Sequence, residues 1–246
     1  MSASAALPGL TLRLKHRHEV AEGTMAFQFE KSPGWAFKPG QFMDVTLINP
    51  PETDAEGNSR TFSIASAPYE NFLMITTRMR DTAFKRVLKT MPLESQVKIE
   101  GPSGDLTLHD NASRPAVLLA GGIGITPFRS IVLQAAKDKL AHRIFLFYSN
   151  RRPEDAPFLR ELESLEYENP NFELIGTMTE MAKSQQAWSG ETEQISQGML
   201  AKYLKGVEAA IYYIAGPPAM VKALNAILKH NGIDDSDIRA EEFAGY

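Results

Sequence analysis

Three short stretches hold residue types that can do chemistry at close spacing. In "RTFSIASAP" (60–68) an arginine, an aromatic and two hydroxyls, Arg60, Phe62, Ser63 and Ser66, follow one another in a strand-like segment. Strand packing asks only for alternating apolar residues. Taken alone, Ser63 and Ser66 also fit ordinary strand hydroxyls and Arg60 a solvated cation, but their close spacing raises the question of a further role. In "LLAGGIGITPFRS" (118–130) Gly121, Gly122 and Gly124 stand between an apolar strand and a helix-like run. Glycines there let the backbone approach a pyrophosphate, and a helix N-terminus supplies free N–H groups at the positive end of its dipole. Pro127 follows Thr126 at the favoured first helical position. "YYIAGPPAMVKAL" (212–224) repeats the arrangement with Gly216 and Pro217. In an open α/β sheet both turns lie at the carboxyl ends of strands, where ligands bind. Gly-x-Gly by itself also serves a plain strand-to-helix turn, and the usual third glycine is missing. Two such turns in one sheet favour nucleotide binding.

The elements that must position these residues change character along the chain. Up to about residue 110 the pattern has period two, in short runs bounded by Gly and Pro: "LTLRLKHRH", "TMAFQFE", "QFMDVTLI", "TFSIASA", "FLMITTRM" and "QVKIEG". This predicts a small antiparallel barrel or sandwich. "TAFKRVLKTM" (82–91) is the one helical interruption, with Phe84, Val87, Leu88 and Met91 at helical spacing. After "HDNASRP" (109–115) strands alternate with helices, which implies a parallel sheet covered on both faces. The expectation is two domains: an antiparallel β-barrel over 1–112, followed by an α/β parallel-sheet domain over 113–246.

The 246 residues are 43% hydrophobic and 23% charged, the composition of a folded globular protein. A net charge of −4 gives no reason to expect nucleic acid. Residues 1–115 hold 13 basic and 13 acidic residues, so the acidic excess lies in the second half. The absence of cysteine excludes disulfides, cysteine-ligated zinc and an iron–sulfur cluster held by this chain. His16 and His18 share a strand with no third ligand in sight, so no metal site is expected. The start "MSASAALPGL" lacks the charged and apolar regions of a signal peptide, and no apolar run approaches the ~20 residues that span a bilayer. The expectation is a cytoplasmic protein without membrane insertion.

With these segments in one order, the chain resembles the ferredoxin–NADP reductase family of flavoenzymes, through "RTFS", "GPSG" (101–104), "GGIGITP", "AGPPAMV" and the terminal "EEFAGY". The resemblance implies an FAD-binding barrel, a NAD(P)-binding α/β domain and a C-terminal tail that returns toward the flavin. It implies that Arg60 pairs with the FAD pyrophosphate, with Thr61 beside it, that Phe62 packs on the flavin, and that the Ser63 hydroxyl approaches the reactive ring nitrogen. The family pattern is Arg-x-Tyr-Ser, so Phe62 stacks without a hydroxyl to donate. The chemistry is coherent: a guanidinium matches phosphate bidentately, an aromatic face suits a tricycle, and a hydroxyl both donates and accepts. In "RMRDTAFKR" (78–86), Arg78 and Thr82 fall where family members face the pyrophosphate. Thr82 either bonds the phosphate or only caps the helix, and Asp81 is unfavourable near it.

In the second domain the resemblance implies that Gly122, Gly124, Gly216 and Pro217 cradle the dinucleotide and that Thr126 lies near the nicotinamide. Ala215 stands where the family carries cysteine. Glu241 is implied as the carboxylate near the nicotinamide, with Phe243 or Tyr246 covering the flavin face. Ser63 and Glu241 are thus the expected catalytic pair. Arg151 and Arg152 of "SNRR" suit a 2′-phosphate, whereas Thr179 and Glu180 point the other way, so NADPH and NADH both stay open.

The implied reaction is hydride transfer from NAD(P)H to FAD, then electrons to a separate small acidic carrier, ferredoxin or flavodoxin. Lys85, Arg86 and Lys89 on the predicted helix, or Arg13, Lys15 and Arg17 on the first strand, would steer such a carrier or simply be solvated. The alternatives are a reductase of free flavin or a small acceptor, and an electron-transfer flavoprotein subunit without turnover of its own.

Overall fold

A computed structural model of the chain describes residues 10–243. Its first sheet is antiparallel and contains β1 (Leu10–Ala21), β2 (Thr24–Glu30), β3 (Phe42–Leu47), β4 (Ser59–Ser63), β5 (Phe72–Arg78) and β6 (Gln96–Ser103), in the order β4-β3-β6-β1-β2-β5. Period-two patterning is realised as burial: Met43, Val45 and Leu47 of β3 are buried, while Phe42, Asp44 and Thr46 between them are not. The inward set includes Leu12, Leu14, Phe27, Phe29, Ile75, Val97 and Ile99. Helix α1 (Ala83–Thr90) lays Phe84, Val87 and Leu88 into the same core, and each such side chain contributes about 1.5–3 kcal/mol of burial. Thr82 is its N-cap, its hydroxyl accepting from Lys85 N at 3.4 Å. β4 and β5 stand at opposite ends of the sheet order. Beyond β4 the chain crosses to β5, where Ala65 N donates to Met74 O at 2.8 Å and curls the sheet toward closure.

The second sheet is parallel, with β7 (Ala116–Gly121), β8 (Ile144–Asn150), β9 (Phe172–Met178), β10 (Ile211–Gly216) and β11 (Ile238–Glu242) in the order β11-β10-β7-β8-β9. β7 alternates between two cores. Ala116, Leu118 and Ala120 face α2 (Ile125–Lys137) and α3 (Leu159–Glu168); Val117 and Leu119 face α4 (Gln197–Tyr203) and α5 (Pro218–His230). The chain runs outward from β7 through β8 to β9, then returns to place β10 on β7's other side. The strand order therefore reverses between β7 and β10, and a crevice opens at the carboxyl ends of those strands.

One element departs from the expectation. The C-terminal segment, read as a tail, forms an edge strand in which Glu241 lies opposite Ala215 of β10. "IRAEE" has too few apolar residues to read as a strand, and its ladder with β10 supplies what propensity does not. Tyr246 lies outside the described residues.

Candidate active site

The two glycine turns are built against each other. A Cβ on Gly124 would stand 2.1 Å from Ala215 O, and one on Gly121 would stand 2.3 Å from Met220 Sδ. Ala215 is fully buried, so a small residue is what the contact permits. Gly122 has φ +54° and faces the Arg78 guanidinium, with Nη2 3.1 Å from where a Cβ would sit. A cavity of about 450 Å³ opens here, lined by Arg78, Arg80, Gly121, Gly122, Asn150 and Arg151, with Pro217 at its rim. Cations and close-approach glycines at a helix start suit a polyanion. The Thr126 hydroxyl donates to Ile123 O at 3.0 Å, so it holds the turn.

Arg78 also links this crevice to the barrel. It ends β5 two residues after Thr76, on the same face of the strand. Thr76 Oγ1 is buried without a hydrogen-bond partner, and so are Ser63 Oγ on β4 and Glu241 Oε2 on β11. A buried polar atom left unpaired costs about 1–3 kcal/mol. Orphaned hydroxyls on the two strands at the ends of the barrel sheet fit a ligand with its own donors and acceptors, as a flavin ring has. Ser63 pairs across the ladder with Phe42, and Phe42 lines a second cavity, about 700 Å³, together with Glu241, Arg239 and Asp105. Ser63 is thus linked through Phe42 to the cavity that Glu241 lines. Burial pushes the Glu241 carboxyl above its ordinary pKa.

Other expected residues are placed differently. Phe62 is 6% exposed and packs into the barrel core with Phe84, ring centroids 5.8 Å apart, so it is a wall of that core and not an open stacking face. The Thr61 hydroxyl donates to the Asp44 carboxylate. Arg60 Nη1 donates to Glu56 O, Gly57 O and Ser59 O, and Nη2 pairs with Asp54 Oδ1 at 3.2 Å and Glu56 Oε2 at 2.8 Å. Asp54 Oδ2 in turn accepts from Ala83 N at 3.0 Å, the first amide of α1. A carboxylate of the chain thus stands at the helix start expected to face phosphate. Lys85 lies beside it, its pKa brought down to about 8 by burial and by the neighbouring Arg80 and Arg60. Asp81 is turned away onto Arg86, which also pairs with Glu52 at 2.6 Å.

At the ends of β8 and β9, Arg152 is held by Asp155 at 2.8 Å and Glu22 at 2.9 Å, while Arg151 faces Glu180 at 3.8 Å. Phe243 N donates to Gly216 O at 3.0 Å and its ring packs on the α2 side of the second sheet. Sequence reasoning missed Asp54, Thr76, Arg80 and Asn150. Only Asn150 had a signal, its position at a strand's carboxyl end; its side-chain amide is buried and unpaired. No cluster of three metal-ligating side chains occurs among the described residues.

Residues 118–226 match the model of the oxidoreductase NAD-binding domain. The chain is 28% identical over 223 residues to the glycine betaine monooxygenase reductase subunit of Chromohalobacter salexigens, covering 89% of this chain and 60% of that protein. It is 25% identical over 240 residues to the toluate 1,2-dioxygenase electron transfer component of Pseudomonas putida, covering 96% and 68%. The chain spans between 37% and 68% of the length of the curated relatives it matches. Its fold is that of a ferredoxin NADP+ reductase from Neisseria gonorrhoeae solved with bound FAD and NADP, at TM-score 0.76 and 20% identity over 95% of this chain and 98% of that one. With the barrel, the parallel sheet and both glycine turns in place, the chain carries an oxidoreductase NAD-binding domain over residues 118–226, has the two-domain fold of ferredoxin–NADP reductase-type proteins, and is similar to reductase components of oxygenase systems.

Proposed function

We propose that the protein is an FAD-dependent reductase that moves hydride from NAD(P)H to the flavin and passes the electrons to a separate carrier of ferredoxin or flavodoxin type. The observation that carries this reading is the shared crevice, in which Arg78 of the barrel meets Gly122 of the nucleotide turn while Thr76, on the same strand face, keeps an orphaned hydroxyl. Bound FAD supplies the conversion of a two-electron donor into single electrons for the carrier.

The chain's own residues divide the work. Residues up to about 112 form the FAD-binding unit and those from 113 the nucleotide-binding unit. Gly122, Gly124, Gly216 and Pro217 let the dinucleotide's phosphates approach the backbone, and Thr126 shapes the turn beside the nicotinamide. Arg60, Arg78 and the Thr82 cap serve the FAD phosphates; Thr61 and Phe62 fix the strand that delivers Ser63 to the ring. Glu241 is partly buried, with Oε2 shielded from solvent, which raises its pKa and suits it to donate a hydrogen bond. Phe243, and Tyr246 beyond it, would close the flavin face. The cytoplasm, where NADH and NADPH are held, is the compartment this reading implies.

A second reading, reduction of free flavin as a substrate, is favoured by one observation. Arg60 and the start of α1 are already satisfied by Asp54 and Glu56, which weakens the grip on a resident diphosphate. Anaerobic mixing of the flavin-loaded protein with NADH and then NADPH tests the shared chemistry, and desalting tests retention. Bleaching of a flavin that stays with the protein is expected. Loss of flavin on desalting with turnover of added flavin supports the second reading, and a protein with no FAD affinity would sink both.

A further inference from the structure

Arg129, on α2, is 5% exposed and spends all five of its N–H donors. Nε and Nη2 donate to the Glu161 carboxylate of α3, each at 2.7 Å. Nη1 donates to Ala65 O at 2.7 Å and, with Nη2, to the Glu70 carboxylate at 2.9 and 3.2 Å. The Phe158 ring covers the guanidinium, 4.9 Å from Cζ to centroid. Glu70 itself braces the loop by accepting from Ala67 N at 2.6 Å. The next residue, Ser130, donates its hydroxyl to Ser66 O at 2.7 Å, and Gln134 accepts from Tyr69 N at 3.0 Å. Three side chains of one helix therefore hold the backbone of residues 65–69, the exit of the strand that carries Ser63.

The lever arms are short. Ala65 lies two residues beyond Ser63, and Thr126 lies three residues before Arg129, about 4.5 Å along the helix. The flavin-side strand and the nicotinamide-side turn are thus two ends of one bracket.

Resting on the reductase reading above, we propose that Arg129 is a positioning residue that sets the approach of nicotinamide to flavin by clamping residues 65–70 onto α2. A surface ion pair would not do this. A buried guanidinium with every donor used has one geometry, and lysine, with three donors on a point charge, cannot reproduce it. Hydride transfer is sensitive to such placement, since about 1 Å of misplacement costs about a hundredfold.

The test compares Arg129→Lys with wild type in two ways. In anaerobic stopped flow of the FAD-loaded proteins with NADH, hydride transfer and kcat are expected to fall about 10- to 100-fold, while KM for NADH and FAD affinity change by less than about twofold. Calorimetry of the FAD-free proteins is expected to turn one unfolding transition into two, because the clamp that couples the sheets is loosened. Should Arg129→Lys not fold, the milder Ser130→Ala/Gln134→Leu double variant carries the test, with a smaller loss of kcat in the same direction. An unchanged kcat in a folded variant overturns the positioning role, even if calorimetry shows the sheets uncoupled. Failure of the wild type to take up or reduce FAD is instead failure of the reductase reading, and overturns this role with it.

Discussion

Arg60 is the cation that the spacing of "RTFS" singles out, yet two carboxylates and three backbone carbonyls already hold it. Asp54 reaches past it to the first amide of α1, where an anion is favoured by the helix dipole. A diphosphate entering this place has to displace that carboxylate. Asp54→Asn is therefore expected to tighten FAD binding by about fivefold, and Arg60→Ala to weaken it by about tenfold or more, both read by flavin fluorescence titration. Equal affinities for Asp54→Asn and wild type would mean that the loop moves aside without competing. Glu241 gives a prediction with a definite sign. Burial raises its pKa, so the folded protein holds a proton that the unfolded chain releases, and stability falls as pH rises from the ordinary carboxylate value through the raised one. Glu241→Gln removes that cost: it should melt ~2 °C above wild type at pH 7 and level with it at pH 4, where the native carboxyl is already neutral. Arg60, Ser63 and Glu241 stand out in the sequence because their types announce their chemistry, and Ser63 Oγ and Glu241 Oε2 are buried without a partner. Asp54 was not, because a loop aspartate looks solvated until the fold shows which amide it reaches.

Among the elements, the strands of the barrel and the alternating strands and helices of the second unit were legible, since burial on one face or on two writes itself into the apolar pattern. β11 was not, because an edge strand takes its hydrogen bonds from a neighbour and its residues can be polar. Phe62 was read as packing on the flavin ring, and the fold sets it on β4 opposite Met43, 6% exposed within the barrel core. The strand ends also bear on the choice of nucleotide. The arginine pair at the end of β8 suits a 2′-phosphate on paper, but Arg152 is held by Asp155 and Glu22, and Arg151 faces Glu180. A dianionic phosphate arriving there meets a carboxylate. NADH is expected to exceed NADPH in kcat/KM by about tenfold or more, and Glu180→Gln to narrow that ratio by about fivefold. A native preference for NADPH in steady-state assays with an artificial acceptor would reverse this assignment.

On the proposed reductase reading, the charge pattern across the whole molecule bears on how electrons would leave. An acidic carrier is drawn to clustered free cations, and the barrel's surface has basic residues in plenty, but the fold pairs many of them. Arg86 is bridged to Glu52 and Asp81, Lys15 to Glu94 at 2.7 Å, Lys98 to Glu100 at 2.8 Å, and Arg17 donates to Met91 O. The net charge of −4 adds a weak general repulsion. Steering raises association rates only where an unbalanced field extends into solvent, and it decays steeply with ionic strength. On the same reading, encounter with a carrier should therefore depend on short-range contact more than on long-range attraction. The second-order rate of carrier reduction is expected to change by less than about threefold between about 0.05 and 0.5 M salt, and Lys15→Glu or Lys98→Glu to alter it by no more than about twofold. A steep fall with salt, or a large loss in either variant, would show that these pairs open to receive an acidic partner and that the barrel face carries the docking charge after all.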